Sequence, residues 1–464
     1  MPWVLALGAL DFGLEQFMII PILPAVQREQ ASLTAATWLL TGFLLAAVTA
    51  APVLGRLGDM YGKRRLLLVS VAAFAVGSLV CALAGSIEGL IAGRVVQGIG
   101  AALGPLAIGL ARDQAPRGRA PMWIGLLVAT AGAGAALGLL LGGVLVDYVS
   151  IAAVFWFLFG LAAALLLAVW LLIPETPVRD AVRPDWAGGL LLSAALLAAL
   201  LAISQGNNWG WSSRLIVGLF VASAVALAAF VAVERAISAP LVDMRLMARR
   251  PAWSANLVAF AMGFALFIAG VIVPQIATLP EASSYGFGLT IAQTGVVLLP
   301  GALAIVLGGW ASGALVRRTG ARTLVRFGAL SAATAYAALA LDHGSVASVV
   351  AANVALGLGI GLAFAAITNL VVRSVGERRT SVFAATTAVS RSTGAALGAQ
   401  VAAAIVIGAG LVGPGFPAER GFTAAFILAF VATLVALAAT VAMPARRADP
   451  LLEDLTSAAA EPAP

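Results

Sequence analysis

Charge is what this sequence has least of. Only 10% of its 464 residues are Asp, Glu, Lys or Arg, against about 25% in a soluble domain, while 62% are hydrophobic. No water-soluble fold hides that much apolar surface, so the composition excludes a string of globular domains. Cysteine and histidine are scarcer still. One of each, Cys81 and His343, excludes a disulfide framework and leaves too few ligands for a His/Cys metal site. A Gly-rich phosphate loop ending in Lys-Ser/Thr is missing as well, and no polar stretch is long enough to bind ATP. No catalytic constellation, metal or cofactor is therefore expected. Energy for any work must come from an ion gradient or from the substrate's own.

What the sequence has is hydrophobic runs of about twenty residues, the length that crosses a bilayer core. They lie near 3–26, 36–55, 66–85, 88–110, 121–146, 151–173, 187–204, 214–233, 254–277, 290–313, 323–341, 346–372, 382–409 and 421–442. The expected fold is an all-α membrane protein of 14 transmembrane helices. The first run holds Asp11 and Glu15 and no small-residue cleavage site, so it reads as a span rather than a removable signal peptide. Only Met1 and Pro2 precede it, which allows an upstream start. The seventh and eighth runs meet at the polar, aromatic segment Gln205–Trp211, expected as a loop; one re-entrant hairpin is the other reading of that pair.

The net charge of +7 comes in short clusters between apolar runs. That is the pattern of cytoplasmic membrane loops, not of a continuous basic face that tracks nucleic acid. With the first run entering from the cytoplasm, 22 of the 27 Lys and Arg fall on the inner side. Arg28, Arg214 and Arg420 fall outside, and Arg94 and Arg391 lie within runs. The positive-inside rule then puts both termini in the cytoplasm of a plasma membrane, a bacterial inner membrane.

The chain also looks doubled. Gly55 and Gly62 flank a basic turn after the second run, and Gly313 and Gly320 flank one after the tenth. Gly134-x3-Gly138 in the fifth run matches Gly394-x3-Gly398 in the thirteenth. Two six-helix bundles with two extra helices between them fit this pattern: 1–178, an insertion and linker at 179–250, then 251–443, with a tail at 444–464. Repeated halves are how alternating-access transporters are commonly built.

Between the second and third runs stands Gly55-Arg56-Leu57-Gly58-Asp59-Met60-Tyr61-Gly62-Lys63-Arg64-Arg65. A tight two-helix turn needs glycine, the cytoplasmic face favours basic residues, and Asp59 is a carboxylate that can face a neighbouring helix N-terminus. The segment resembles the signature inner loop of the major facilitator superfamily. A merely solvated basic turn is the plainer reading. The resemblance implies a gating role for Gly58, Asp59, Gly62 and Arg64, which latch two halves in the outward-facing state. Met60 departs from it, since the family usually has a basic residue there.

In the fourth run, Gly93-Arg94-Val95-Val96-Gln97-Gly98-Ile99-Gly100 is similar to the family's second motif, whose buried arginine is associated with proton coupling. An arginine in hydrocarbon costs at least ~2.5–3.5 kcal/mol on insertion scales, so it must face the protein interior and have a partner. At about 1.5 Å per residue, Glu15 lies roughly 18 Å, Asp11 roughly 12 Å and Arg94 roughly 21 Å from the inner edge. Glu15 and Arg94 thus share a depth. Asp11 and Glu15, four apart, share a helix face. Such carboxyl groups can load and release protons during a transport cycle; a static Glu15–Arg94 pair that only fixes packing is the alternative. The family's fourteen-span drug exporters often carry an Asp followed five residues later by Asn, where this chain has Asp11 followed by Gln16.

Gly134, Gly138, Gly142 and Gly143 resemble the antiporter motif of the family's exporters, with Leu139 in place of its proline and Ile151-Ala152-Ala153 where a Trp-Arg-Trp cluster often follows. Small residues four apart let helices approach closely, which makes these four a packing face. Gln16, Gln97, Asn369 and Arg391 are candidates to line a cavity, with Gln400 of the same kind. Among the aromatics, Phe12, Phe17, Trp38, Phe43, Trp123, Trp253, Phe264 and Phe267 can line it too, or form interfacial belts.

The expectation is a proton-coupled exporter of hydrophobic or cationic small molecules, similar to the fourteen-span drug:proton antiporter branch. Its partners would be substrate, protons and lipid, and it would act as a monomer. An importer or facilitator of a nutrient or metabolite shares the fold; a non-transporting receptor or intramembrane enzyme is the rival from another class.

Overall fold

The computed structural model describes residues 2–30, 32–116, 120–175, 185–237, 240, 242, 244–374, 377–412 and 416–443. They are almost entirely helical. The first group of helices is α1 (Pro2–Phe17), α2 (Ile19–Gln30), α3 (Leu33–Tyr61), α4 (Lys63–Leu83), α5 (Ile87–Ile99), α6 (Leu103–Gln114), α7 (Ala120–Tyr148) and α8 (Ile151–Leu172). Then come α9 (Trp186–Trp209), α10 (Arg214–Ala236) and the short α11 (Met244–Met247). The last group is α12 (Arg250–Thr278), α13 (Ile291–Thr319), α14 (Ala321–Leu341), α15 (Val346–Ser374), α16 (Glu377–Gly408) and α17 (Glu419–Ala439). A two-residue antiparallel ladder, β1 (Leu411–Val412) with β2 (Phe416–Pro417), precedes α17.

Two expected spans are broken helices, and proline explains both. Pro21 has no N–H for the Phe17 carbonyl, and the helix is interrupted at Met18 between α1 and α2. Pro105 likewise leaves the Ala101 carbonyl without its donor, and the chain tightens into a 3₁₀ turn over Gly100–Ala102 between α5 and α6.

Thirteen described segments are long and apolar enough to cross a membrane, one fewer than the fourteen counted from hydropathy. The difference is α16. It is 32 residues long, but Thr386, Thr387, Ser390, Arg391 and Ser392 dilute its apolar run. The segment after the seventh run also needs correction: Gln205 to Asn208 are helical, and α9 ends at Trp209, where Gly210 turns the chain at φ 84°. α9 and α10 are separate helices of 24 and 23 residues, which removes the re-entrant hairpin.

The doubling seen in sequence is a doubling of contacts. In the first group, a methyl added to Gly134 of α7 would collide with the Leu10 carbonyl of α1, and Gly13 of α1 abuts Ala131. In the last group, Gly394 of α16 meets Phe260 of α12 in the same way, Gly398 meets Phe264, and Gly263 abuts Arg391. Helices this close touch backbone to backbone, which is what spaced glycines permit. The basic turns correspond as well. Gly62 between α3 and α4 has φ 110°, and Gly320 between α13 and α14 has φ 84°, positions that only glycine holds without strain.

The two groups meet along α3 with α16 and α7 with α13. Gln400 of α16 donates to the Thr41 hydroxyl of α3 at 3.1 Å, and Gly295 of α13 abuts the Leu139 carbonyl of α7. α9 lies against α3 and α16, and α10 lies against α9.

Candidate functional site

α5 is clamped into the first group by its glycines. Gly93 abuts Cys81 of α4 and Gly98 abuts the Phe43 carbonyl of α3, with no room for a side chain at either place. Arg94 consequently points into the group, where it is fully buried beside a fully buried Glu15. Arg94 Nη1 stands 3.5 Å from Glu15 Oε2. It also donates to the Gln97 side-chain oxygen at 2.7 Å and to the Glu15 carbonyl at 3.2 Å. Arg94 Nε donates to the Leu39 carbonyl of α3 at 3.0 Å. The guanidinium lies over the Phe43 ring, 4.6 Å from its centre, a cation–π contact whose worth grows when desolvated.

Ser78 of α4 closes the network. Its hydroxyl is 3.0 Å from Glu15 Oε1 and 2.7 Å from the Phe74 carbonyl, and its single proton serves one of them. Gln97 Nε2 donates to the same hydroxyl at 2.7 Å. The shared depth of Glu15 and Arg94 is thus a contact. Asp11 is also fully buried, one turn from Glu15, and neither of its carboxyl oxygens has a hydrogen-bond partner among the described residues. Charges this far from water are costly unless paired, so the cluster holds α1, α3, α4 and α5 in one arrangement.

The other predicted residues divide. Gln97 belongs to the Arg94 network and not to a cavity wall. Gln16 is half-buried and lies off the cavity described below. Arg391 stacks over Phe364 of α15 at 5.5 Å and packs on Gly263. The side chains of Asn369 and Asp59 lie outside the described residues. Gly58 is buried against Leu106 of α6. At the neighbouring turn the Gly62 N–H reaches the Gly58 carbonyl, the Arg64 N–H donates to Glu175 at 3.0 Å, and the Arg64 guanidinium donates to the Trp170 carbonyl. Lys63 pairs with Asp113 at 2.5 Å. These contacts tie the turn to the ends of α6 and α8 within its own group. Of the four fifth-run glycines, Gly134, Gly138 and Gly142 pack on α1 and the break that follows it, at Leu10, Leu14 and Met18, whereas Gly143 packs on Ile291 and Ala292 of α13.

A partly open cavity of about 60 Å³ lies where the two groups meet. Phe17, Ile20 and Leu139 line it from the first group, Phe267, Leu298 and Asn353 from the last. Phe17 and Phe267 are thus cavity aromatics, whereas Phe43 covers Arg94. The acid–base cluster does not line it: on α1, Glu15 and Phe17 are two residues apart and face opposite ways. At the end of the bundle away from Lys63, Asp147 of α7 accepts hydrogen bonds from the first N–H groups of α13, Ala292 at 2.6 Å and Ile291 at 3.3 Å. Neither Ser78, Asn353 nor Asp147 was singled out from sequence. Aligning Ser86 with Ser345, the serines that precede α5 and α15, would have found Asn353, because the same step carries Arg94 onto Asn353.

Residues 5–399 match the model of the Major Facilitator Superfamily. An MFS-type transporter of Mycobacterium tuberculosis is 32% identical over 68% of this chain, which spans 45% of that relative's length. The tetracenomycin C resistance and export protein of Streptomyces glaucescens is 29% identical over 90% of this chain and 78% of its own. Among solved structures, an auto-inhibited POT family peptide transporter superposes with a TM-score of 0.68 at 17% identity, covering 97% of this chain and 98% of that one; at that identity the likeness is one of fold. Broken and glycine-seamed helices in two matching groups, a charged pair sunk in one of them and a cavity at their junction are what the family match explains: this chain is a multi-pass membrane protein that belongs to the Major Facilitator Superfamily.

Proposed function

We propose that the protein exports hydrophobic or cationic small molecules from the cytoplasm by alternating access, driven by inward proton movement through Asp11, Glu15 and Arg94. The observation that carries this reading is the Glu15–Arg94 contact, 3.5 Å apart and buried, between α5 and α1, the helix whose Phe17 lines the junction cavity. A proton gained or lost at that pair changes how α1 packs on α4 and α5, and Phe17 and Ile20, which close the cavity, are on or next to α1. The charge bias supports cytoplasmic termini, which makes the Lys63 end inner and the Asp147 end outer. With Asp147 bound to α13, the conformation described here is held shut at its outer end. Gly58, Asp59, Gly62 and Arg64 are the gating turn, and the boundaries 1–178, 179–250, 251–443 and 444–464 describe the moving parts, a monomer in a bacterial plasma membrane. Export, rather than uptake, is supported by the relatives named for resistance and export.

Inverted vesicles test it. With an imposed proton gradient they accumulate substrate, and Glu15→Gln or Arg94→Ala abolishes that accumulation. If Glu15→Gln spares gradient-free exchange, the pair couples. A loss of both activities together with a lowered melting temperature would make the pair a packing device. Accumulation only in right-side-out vesicles would make the protein an importer.

A further inference from the structure

We propose that Arg391 binds the carboxylate of a transported organic acid, so that the cargo is an anion; the proposal rests on the transport reading above, keeps the hydrophobic class named there and replaces its cations by acids. Three observations carry it. First, the guanidinium is unmatched. It stacks on the Phe364 ring at 5.5 Å, and among the described residues it makes no hydrogen bond and no ion pair. Stacking uses the face of the plane and leaves the N–H groups of its edge unspent. α16 runs from Glu377 to Gly408, which puts Arg391 roughly 20 Å from one end and roughly 25 Å from the other, too deep for a lipid headgroup to reach. A cation at that depth requires an anion.

Second, packing does not ask for an arginine. The seam of the last group repeats that of the first: Gly394 and Gly398 meet Phe260 and Phe264 as Gly134 and Gly138 meet Leu10 and Leu14. The same step carries Ala131, which faces Gly13, onto Arg391, which faces Gly263. In the first group a methyl group is enough at that place. The step also carries Asp11 and Glu15 onto Ala261 and Ala265. The last group therefore holds a cation and has no acid at the places where the first group has two.

Third, Arg391 stands on the way to the junction cavity. Its neighbour Gly263 on α12 is seven residues from Gly270, and its neighbour Phe364 on α15 is seven from Gly357; Gly270 and Gly357 both line that cavity. Seven residues are two turns, so each neighbour lies on the cavity-lining face of its own helix, about 10 Å further from the Asp147 end. Arg391 itself is half-buried, and none of its nitrogens is both enclosed and without a partner, so the fork reaches accessible space beside α12 and α15. A planar fork of N–H donors matches the two oxygens of a carboxylate.

The test uses the full-length purified protein at neutral pH and three probes built on one ring system: naphthoate, an anion; naphthamide, its neutral isostere; and naphthylmethyl-trimethylammonium, a cation. The expected result is that naphthoate binds about tenfold or more tighter than naphthamide, the worth of a hydrogen bond to a charged group, and that the cation binds weakest. In Arg391→Gln the acid and the amide bind within about twofold of each other, while Arg391→Lys, a charge without the fork, keeps part of the preference. An arginine that only shapes the bundle would weaken both probes alike on substitution, and an unchanged acid-to-amide ratio in Arg391→Gln overturns the assignment. Equal binding of naphthoate and naphthamide by the wild type, a comparison that needs no variant to fold, overturns it too. So does displacement of naphthoate by chloride at equal concentration, which would make the place an inorganic-anion site. If the acid is preferred but gradient-driven accumulation of naphthoate is absent from inverted vesicles, the Arg391 assignment stands and the export reading fails. Accumulation of the cation equal to that of naphthoate keeps export and sinks the assignment.

Discussion

Replacing Asp147 by alanine should open the Asp147 end of the bundle without unravelling any helix. The start of α13 is capped twice over. Thr290 accepts from the Gln293 N–H at 3.2 Å, and the Gln293 side chain returns the bond to the Thr290 N–H at 2.9 Å. Asp147 takes the two donors that this capping box does not, Ile291 and Ala292, from a helix of the other group. Its loss therefore falls on the junction between groups. Removing a helix cap costs about 0.5–2 kcal/mol, and the charge at the helix N-terminus adds about 0.3–1 kcal/mol. Because the site is exposed and one of the two bonds is long, about 1.5 kcal/mol is a fair central figure, or roughly tenfold in the ratio of open to closed molecules. Spin labels at Val149 and Leu341, both well exposed near that end, in a Cys81→Ala background, would report it as a distance distribution. Asp147→Ala should raise the weight of the long-distance population about tenfold relative to the short one, with Asp147→Asn between it and the wild type. If the ratio stays within twofold while the variant melts normally, Asp147 is not what holds that end shut.

Two other perturbations follow from the same geometry. Gly134→Val and Gly398→Val drive a side chain into a facing backbone, at Leu10 and Phe264 respectively, and overpacking costs about 1–3 kcal/mol; both should lower the melting temperature in detergent, and an unchanged value at either would refute the seam. Outside the spans, the Tyr285 hydroxyl donates to the Pro417 carbonyl, and burial, with the nearby Glu419 carboxylate adding to it, pushes that hydroxyl up to about 12. An unfolded tyrosine titrates near about 10, so the folded protein holds the proton longer. The contribution is complete below the lower value and is lost as pH rises toward the upper one. Melting temperature should fall over that alkaline window, and Tyr285→Phe should flatten the fall.

Much of this architecture was legible in the sequence because a bilayer leaves few choices. Twenty apolar residues must be a helix. The Glu15–Arg94 contact was legible for a related reason: a buried guanidinium needs a partner, and only the first run offered carboxylates at its depth. The remaining shell was not. Leu39 and Phe74 contribute backbone carbonyls, which every residue has, and Ser78 and Gln97 are too common in membrane helices to stand out. α16 was legible as a helix only by tolerating its threonines and serines. Asn353 looks like one amide among several until the halves are laid on each other, and Asp147 is one acid at a helix end, indistinguishable from a solvated one until α13 is seen beside it.

The backbone contact between α7 and α1 has a mechanical meaning. Rods joined carbonyl to glycine have no cushion of side chains between them, so a tug on one is felt by the other with little give. Asp147 sits at one tip of α7, and Leu10 and Leu14, which its glycines grip, bracket the stretch of α1 that carries Asp11 and stops just short of Glu15. Letting go at that tip therefore shifts the strut on which the acidic pair is mounted, so that a contact at the surface and two carboxyl groups deep inside become two ends of one lever.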